Sequence, residues 1–174
     1  MTTADTTGDD TTGDSAAHPR FAEALRALGL DDPPPRVRRF PDATRTAAEA
    51  AAAIGCELSQ ICKSLVFAAD GEPVLVLMDG ASRVDPERVR AELGATKVTR
   101  ASADVVRETT GYAIGGVPPF GHRTRSRVLA DRSLLVHDTV WAAAGTPYTV
   151  FPMAPRELIA HAGATVADVR ERSS

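Results

Sequence analysis

Two periods of apolar and polar residues run along this chain, which predicts a mixture of helices and strands. The clearest strand signal is a pair of apolar runs, Ile61 to Ala68 and Val74 to Met78, separated by the turn pair Asp70-Gly71. An Asp-Gly pair between two apolar runs is typical of a β-hairpin. Because both runs are almost continuously apolar, we expect both faces of this hairpin to be buried.

Helical spacing of apolar residues, together with capping residues, predicts five helices. Thr46-Ala-Ala-Glu49 matches a capping box, and Asp85-Pro86 matches an N-cap followed by a first-turn proline. The predicted helices run from His18 to Leu28, from Thr46 to Gly55, from Asp85 to Leu93 before Gly94, from Ser102 to Gly111, and from Pro155 to His161.

Further short strands are predicted at Arg36 to Phe40, Thr96 to Thr99, Leu134 to Val136, Val140 to Ala144 and Tyr148 to Phe151. Helices and strands alternate irregularly around a central antiparallel hairpin. This order predicts an α+β fold, with a mixed sheet and helices packed around it, rather than a doubly wound one.

The composition divides the chain into a tail and one domain. Residues 1 to 17 consist mainly of Thr, Asp, Gly and Ala without an aromatic residue, so we expect them to be disordered. Residues 18 to 170 suit a single domain, and residues 171 to 174 form a polar tail. The whole chain has a net charge of −3, but the first 17 residues contain four Asp and no Lys, Arg or Glu, so the remainder carries +1.

Composition also excludes several classes of protein. The hydrophobic content of 43% and charged content of 25% are ordinary for a globular protein, and no apolar run approaches the ~20 residues of a membrane span. No signal peptide is evident, so we expect a cytoplasmic protein without a membrane partner. Cys56 and Cys62 match no zinc spacing and are predicted to be free buried thiols. We expect no metal and no other cofactor.

A glycine- and proline-rich stretch, Gly111 to Gly121, is the first candidate for chemistry. It contains four glycines and two prolines in eleven residues and carries no charge. This composition predicts a shaped, partly buried loop whose backbone N–H groups approach an anion or a developing oxyanion. The alternative is a glycine-rich turn between a helix and a strand.

Lys63 is the second candidate. Of the 20 basic residues 18 are arginine, and Lys63 is one of only two lysines, yet it lies inside an apolar strand-like run. This choice indicates that a compact ammonium group is needed there. The alternative is a strand lysine whose amine extends to water.

These two stretches carry a family resemblance. Ser59-Gln-Ile-Cys-Lys-Ser-Leu-Val-Phe67 and Thr109-Thr-Gly-Tyr-Ala-Ile-Gly-Gly-Val-Pro-Pro-Phe-Gly121 resemble the YbaK/ProX family of aminoacyl-tRNA deacylases, which is related to the editing domain of bacterial prolyl-tRNA synthetase. The similarity runs from about residue 20 to residue 169. It implies a barrel-like mixed sheet, places the family's lysine at Lys63, and places its G-x-x-x-P loop at Gly115 to Pro119.

The resemblance also implies an activity, the hydrolysis of a mischarged aminoacyl-tRNA by water attack on its 3′-terminal ester. The family is proposed to use substrate assistance in place of a protein base, and the sequence contains no G-x-S-x-G, His-Glu-x-x-His, P-loop or G-x-G-x-x-G motif. Strand alternation argues against a Cys62 nucleophile acting beside Lys63. The predicted catalytic residues are Lys63, Gly115, Gly116 and His122, and the predicted substrate-binding residues are Ser64, Val117, Pro118, Pro119, Phe120, Gly121, Ala143 and Gly145.

His122 directly follows the loop, where it suits a titrating or hydroxyl-binding role; the alternative is an exposed loop histidine. Arg123, Arg125 and Arg127 alternate in an extended segment, so they are predicted to share one face and to contact tRNA phosphates. The alternative is a solvated edge strand that the charges protect from aggregation. The predicted partners are the aminoacyl-tRNA 3′ end and an aminoacyl-tRNA synthetase, and DNA is not expected.

One segment departs from the cysteine-specific branch of the family, in which a Ser-Gly-Gly-like segment lines the pocket. This chain has Trp141-Ala-Ala-Ala-Gly145, so a hydroxyl is lost at about Ala143 and the lining suits a small side chain. The departure leaves room for two other functions. One is a catalytically inactive module of the same fold that binds tRNA ends or a synthetase, and the other is a small-molecule hydrolase or nucleotide binder.

Overall fold

The computed structural model describes residues 17–32, 34–44 and 46–172. Of the predicted disordered tail, residues 1–16 therefore lie outside the described residues, while Ala17 is buried against the core. Of the predicted polar C-terminal tail, residues 171 and 172 are described and exposed.

Eight strands of the described residues form one mixed sheet. They are β1 (Arg38–Arg39), β2 (Ile61–Ala69), β3 (Glu72–Asp79), β4 (Val98–Arg100), β5 (Arg127–Asp131), β6 (Val140–Ala143), β7 (Thr149–Met153) and β8 (Thr165–Ala167). Their order is β1-β7-β6-β2-β3-β5-β8, with β4 also paired to β2. The pairs β6–β2, β3–β5 and β5–β8 are parallel and the others are antiparallel, which confirms the predicted α+β class and mixed sheet.

The five predicted helices are present and begin and end close to their capping residues. They are α1 (Pro19–Ala27), α2 (Ala47–Ile54), α3 (Pro86–Leu93), α4 (Ala103–Thr110) and α5 (Pro155–Ala162). The capping box of α2 forms in full: the Thr46 hydroxyl accepts from the Glu49 N–H, and the Glu49 carboxylate accepts from the Thr46 N–H, both at 3.1 Å. Within the described residues, none of the helices has the length and apolar character needed to cross a bilayer.

The central hairpin of β2 and β3 forms as predicted. Asp70 and Gly71 both have positive φ, 51° and 83°, as a two-residue type I′ turn requires. The Asp70 carboxylate also accepts hydrogen bonds from the N–H groups of Thr96 and Lys97, and these bonds lower its pKa. The turn is thereby attached to the segment that leads into β4.

The hairpin separates two apolar clusters, because its side chains alternate between its two faces. Cys62 and Val66 belong to the larger cluster, which contains the helix α1 residue Phe21, whereas Phe67 belongs to the second. Strand β3 is buried from residue 74 to residue 79, as predicted. Strand β2 is only half-buried over residues 63–65, and this is where the candidate site lies.

The predicted strand at Leu134 to Val136 is wrong, because residues Arg132–Val136 form a 3₁₀ helix. The Asp131 carboxylate caps this helix by accepting a hydrogen bond from the Ser133 N–H at 3.0 Å. Leu134 is fully buried whereas Val136 is 78% exposed, so the three apolar residues do not form one buried strand.

The predicted extended segment from Arg123 to Val128 is also partly wrong. Strand β5 begins only at Arg127, and the chain bends at residues 123 and 124, whose N–H groups donate to the carbonyls of Thr110 and Thr109. The arginines at 123, 125 and 127 are all exposed, but they do not share one face of a single strand. Strand β8 was not predicted, because three residues are too few to show a period.

Candidate active-site cavity

The candidate site lies at an interruption in the sheet. On one edge β2 pairs with β3 over most of its length, but on the other edge residues 61–62 pair with β6 and residues 67–69 pair with β4. Residues 63–65 therefore have no strand partner on that edge among the described residues, whereas the Val66 carbonyl accepts from the Ala101 N–H just after β4. A cavity of about 280 Å³ opens at this gap. Of the predicted site residues, it is lined by Lys63, Ser64, Gly115, Val117 and Ala143.

Ser64 provides the unpaired polar group of this cavity. Its Oγ is buried and has no hydrogen-bond partner among the described residues. Other hydroxyls of the lining are already paired: those of Thr146 and Thr149 hydrogen-bond to each other at 2.8 Å, and that of Thr44 donates to the Pro147 carbonyl at 3.1 Å. Because buried hydroxyls are normally hydrogen-bonded, the Ser64 Oγ is the group left to bind a substrate or a water.

Lys63 has a fixed position at the edge of the cavity. Its Nζ donates a hydrogen bond to the Ser82 carbonyl, which leaves two of the three N–H groups of the ammonium for a ligand. Burial lowers the pKa of Lys63; the nearby Asp79 carboxylate opposes this shift, and the guanidinium groups of Arg100 and Arg83 add to it. Lys63 therefore feels one nearby negative charge and two nearby positive charges.

Arg100 is a lining residue that the sequence did not reveal. It ends β4, lines the cavity, and its guanidinium lies 5.5 Å from the centre of the Phe67 ring. A cation stacked on an aromatic ring is well placed to meet a phosphate. The predicted strand ended at Thr99, and nothing in the local pattern distinguishes an arginine that faces a cavity from one that faces water.

Gly115 lies in the turn that closes the cavity. The Gly116 N–H donates to the Ala113 carbonyl at 2.9 Å, and Gly115, at the third position of this turn, has φ 95°. No non-glycine residue here has positive φ, so the turn is of type II, which favours glycine at that position. The Gly116 N–H is therefore not free to bind an oxyanion, whereas the Gly115 N–H has no hydrogen-bond partner among the described residues.

Gly116 and Gly145 lie so close to neighbouring residues that a Cβ atom would not fit at either position. A Cβ on Gly116 would lie 2.8 Å from the Thr146 Cα, and a Cβ on Gly145 would lie 2.2 Å from the Cβ of His18. Neither glycine lines the cavity, whereas Ala143, two residues before Gly145, does. Gly145 therefore positions the wall of the cavity without forming part of it.

The remaining loop residues support the turn from behind. Pro118, Pro119, Phe120 and Gly121 do not line the cavity. Phe120 packs in the core against Phe21 and Phe151, with ring centres 5.5 and 5.9 Å apart, and the Tyr112 hydroxyl donates to the Gly121 carbonyl at 2.9 Å. These contacts make the stretch a shaped and largely buried loop.

His122 is not brought to the cavity, although its position in the sequence suggested a catalytic role. Its Nε2 lies 2.7 Å from the Pro118 carbonyl and donates a hydrogen bond to it. Burial lowers the pKa of His122, and this hydrogen bond opposes the shift only in part. The geometry gives His122 a role in bracing the loop.

The lowered pKa of His122 predicts a pH dependence of folding. The folded pKa lies below the ordinary value of 6.5, so the unfolded chain binds more protons in the range just below that value. The stabilisation is complete above this range and is lost as the pH falls through it. We expect the free energy of unfolding in urea to decrease between about pH 7.5 and about pH 5.5, and to decrease less in His122→Gln. An equal decrease in both proteins would contradict this role.

Cys62 lines the cavity, but its thiol is not suited to nucleophilic attack. Burial, with a smaller contribution from the Asp79 carboxylate, raises its pKa to about 12. Both thiols are free, as predicted, but the predicted burial of Cys56 is wrong: Cys56 is half-exposed, and its pKa is raised as well. We expect iodoacetamide to alkylate Cys56 before Cys62 in the native protein, as peptide mass spectrometry would show. Modification of Cys62 first would contradict the structure.

Comparison with known families identifies the chain. A family model for the aminoacyl-tRNA editing domain matches residues 41–160, which include β2, the cavity and the loop. The chain belongs to this editing-domain family. The membership confirms the resemblance drawn from Lys63 and the Gly115 to Pro119 loop, and it places the gap in β2 within the matched region.

Individual relatives agree with this assignment. The uncharacterised protein YwhH of Bacillus subtilis (strain 168) is 37% identical over 123 residues, covering 70% of this chain and 78% of that protein. The proline–tRNA ligase of Geobacter sp. (strain M21) is 32% identical over 68% of this chain, which corresponds to only 21% of the ligase.

Solved structures share the fold. A crystal structure described as a candidate trans-editing enzyme for prolyl tRNA synthetase superposes with a TM-score of 0.83 and 40% identity, covering 94% of this chain and all of that chain (100%). The hypothetical protein APE2540 superposes with a TM-score of 0.79 and 35% identity, covering 87% and 99% of the two chains.

Proposed function

We propose that the protein is a trans-editing deacylase, which hydrolyses the ester between an amino acid and the 3′ end of a mischarged tRNA. The observation that carries this proposal is the cavity at the interrupted edge of β2, which is lined by Lys63, by Ser64 with its unpaired hydroxyl and by Gly115, in an editing-domain fold. Such an ester is already activated, so a site that positions it and stabilises negative charge on its carbonyl suffices.

Each of these groups has a distinct task in the proposed reaction. The two free N–H groups of Lys63, with Arg100 beside them, bind the phosphate of the terminal nucleotide or the ester carbonyl. The Gly115 N–H stabilises the oxyanion that forms when water attacks the carbonyl carbon. The bond from that carbon to the ribose oxygen then breaks, and the ribose oxygen takes up a proton.

No histidine, aspartate or glutamate is present among the described residues that line the cavity. We therefore propose that the neighbouring ribose hydroxyl of the substrate relays the proton: it accepts one from the attacking water and donates its own to the departing ribose oxygen. The products are the free amino acid and uncharged tRNA.

The proposed substrate carries a small side chain. The cavity has a volume of only about 280 Å³, and Ala47, Ala50 and Ala143 contribute to its wall. Ile114, which is 57% exposed, lies at its rim and offers an apolar contact. Because the chain resembles a segment of proline–tRNA ligases, we propose tRNA for proline, charged with a wrong small amino acid, as the substrate.

A deacylation panel tests this proposal. The protein is incubated with tRNA for proline charged with Ala, Ser, Thr, Cys or Pro, and a tRNA sample without protein is the control. We expect at least one tRNA that carries a small wrong amino acid to be deacylated at least about tenfold faster than prolyl-tRNA. One side-chain group gives that much discrimination.

Two results would point to other functions. Salt-sensitive tRNA binding without hydrolysis of any ester would indicate a non-catalytic tRNA-end module. Hydrolysis of esters that contain no tRNA, without any affinity for tRNA, would indicate a small-molecule hydrolase.

A further inference from the structure

A second cavity, of about 450 Å³, lies at the carboxyl ends of the parallel strands β3, β5 and β8. Four arginines line it: Arg88, Arg132, Arg170 and Arg172. No residue of the predicted site lines this cavity, so its chemistry is additional to that of the first one.

Two of the four arginines are available to a ligand. Arg132 pairs with Asp168 at 3.1 Å, and Arg88 lies 3.8 Å from Asp85. Arg170 and Arg172 are exposed, and their side chains make no hydrogen bond or ion pair with a described residue.

Three acidic residues also line the cavity: Asp168 pairs with Arg132, and the carboxylates of Asp79 and Asp131 are buried and already accept hydrogen bonds. Asp79 and Asp131 are each only 3% exposed. Asp79 accepts hydrogen bonds from the Ala81 N–H and the Ser133 hydroxyl, and Asp131 accepts them from the N–H groups of Ser133 and Val169. Within the described part of the chain no group of three or more His, Cys, Asp or Glu could hold a metal ion. With four arginines against three aspartates in its lining, the cavity carries a net positive charge, which suits an anion.

His137 provides an unpaired polar atom in this cavity. It lines the cavity, and its Nε2 is buried without a hydrogen-bond partner among the described residues. Buried polar atoms of this kind are uncommon unless a water or a ligand satisfies them.

The second cavity is connected to the candidate active site by one short segment. Ser82 lines the second cavity, and its carbonyl accepts the hydrogen bond from Lys63. The carbonyl of Arg83, the next residue, accepts from the Glu171 N–H at 2.7 Å, which holds the segment with Arg170 and Arg172 beside it. Basic side chains thus continue from the first cavity to the second.

We propose that the second cavity binds phosphodiester groups of the tRNA strand that leads to the 3′-terminal ester, with Arg170 and Arg172 as the free contacts. This proposal rests on the proposed function: the strand attached to an ester in the first cavity would pass Ser82, which accepts the hydrogen bond from Lys63 and lines the second cavity. Guanidinium groups suit this task, since their paired N–H groups match two phosphate oxygens.

The double variant Arg170→Gln/Arg172→Gln tests the proposal, with Arg156→Gln as the matched control. Arg156 is an exposed arginine of α5 that lines neither cavity. The affinity for uncharged tRNA is measured over a range of salt concentrations. We expect the slope of log affinity against log salt to fall by up to about two in the double variant, about one for each lost phosphate contact, and to be unchanged in the control. Hydrolysis of a minimal aminoacyl-adenosine, which lacks the strand, should match the wild type.

Three outcomes would overturn the proposal. They are an unchanged salt slope in the double variant, a parallel loss of aminoacyl-adenosine hydrolysis, and binding of inorganic pyrophosphate that depends on both arginines while tRNA affinity does not. A wild-type protein that hydrolyses neither aminoacyl-tRNA nor aminoacyl-adenosine would contradict the proposed function instead. The salt slopes would still decide whether the second cavity binds tRNA.

Discussion

Replacing Lys63 with alanine is expected to lower the rate of aminoacyl-tRNA hydrolysis about 100-fold or more, the effect of removing one donor that stabilises transition-state charge. The Lys63 Nζ is held at the edge of the cavity by the Ser82 carbonyl, and the charges of Arg100 and Arg83 act on it. Single-turnover hydrolysis of the best ester in the panel would measure the loss.

Two control variants make this result specific. Lys97→Ala removes the other lysine of the chain, which is exposed and outside the cavity, and should retain the wild-type rate. Lys63→Arg keeps the charge but replaces a compact ammonium with a planar fork, so it should not restore full activity. If Lys63→Ala lowers the rate by less than about threefold, that loss is far smaller than the loss of an oxyanion-type donor would cause. This result would remove Lys63 from the mechanism.

Gly145→Ala is expected to have the largest effect on stability, about 3 kcal/mol or more, since positive-φ strain and overpacking each cost about 1–3 kcal/mol. Gly145 has φ 103°, and the added Cβ would lie 2.2 Å from the Cβ of His18 and 3.1 Å from the ring of Tyr112. Relief of this clash would move α1 away from the loop, because His18 is the N-cap residue of α1.

Gly163→Ala is the matched control for this variant. Gly163 also has positive φ, 65°, but a Cβ there would have no neighbour within 4 Å. It should show the backbone strain alone, roughly 1–2 kcal/mol. Urea unfolding of both variants separates strain from packing, and equal losses of stability would show that the contact with His18 does not matter.

Local rules were sufficient for the elements that depend on a few neighbouring residues. The Asp70-Gly71 turn, the capping box of α2 and the glycine at the end of each of several helices follow from backbone conformation, and the structure contains them. The same rules failed at Leu134 to Val136, because the Asp131 carboxylate caps a 3₁₀ helix there and an apolar triplet alone cannot show that.

The candidate site could be predicted only in part, because it is made by long-range pairing. The sequence identified Lys63 and the Gly115 turn by residue type. It named Ser64 as substrate-binding through the family resemblance, but it could not show that β6 and β4 leave a gap on the edge of β2, and therefore it did not reveal Arg100.

The loop shows the same limit on a smaller scale. Gly115 and Gly116 are equivalent in the sequence, yet one lines the cavity and the other packs against the backbone of Thr146. Which glycine has a free N–H depends on one turn hydrogen bond, from Gly116 to Ala113.

The most direct test of the central claim, that the ester binds at the gap in β2, is a titration followed by amide NMR. The ligand is alanyl-adenosine with an amide in place of the 3′ ester, which binds without being hydrolysed. We predict that the largest shift changes occur at Ser64, Leu65 and Gly115. An absence of change at these residues, or changes confined to Ser133 and His137 in the second cavity, would contradict the account.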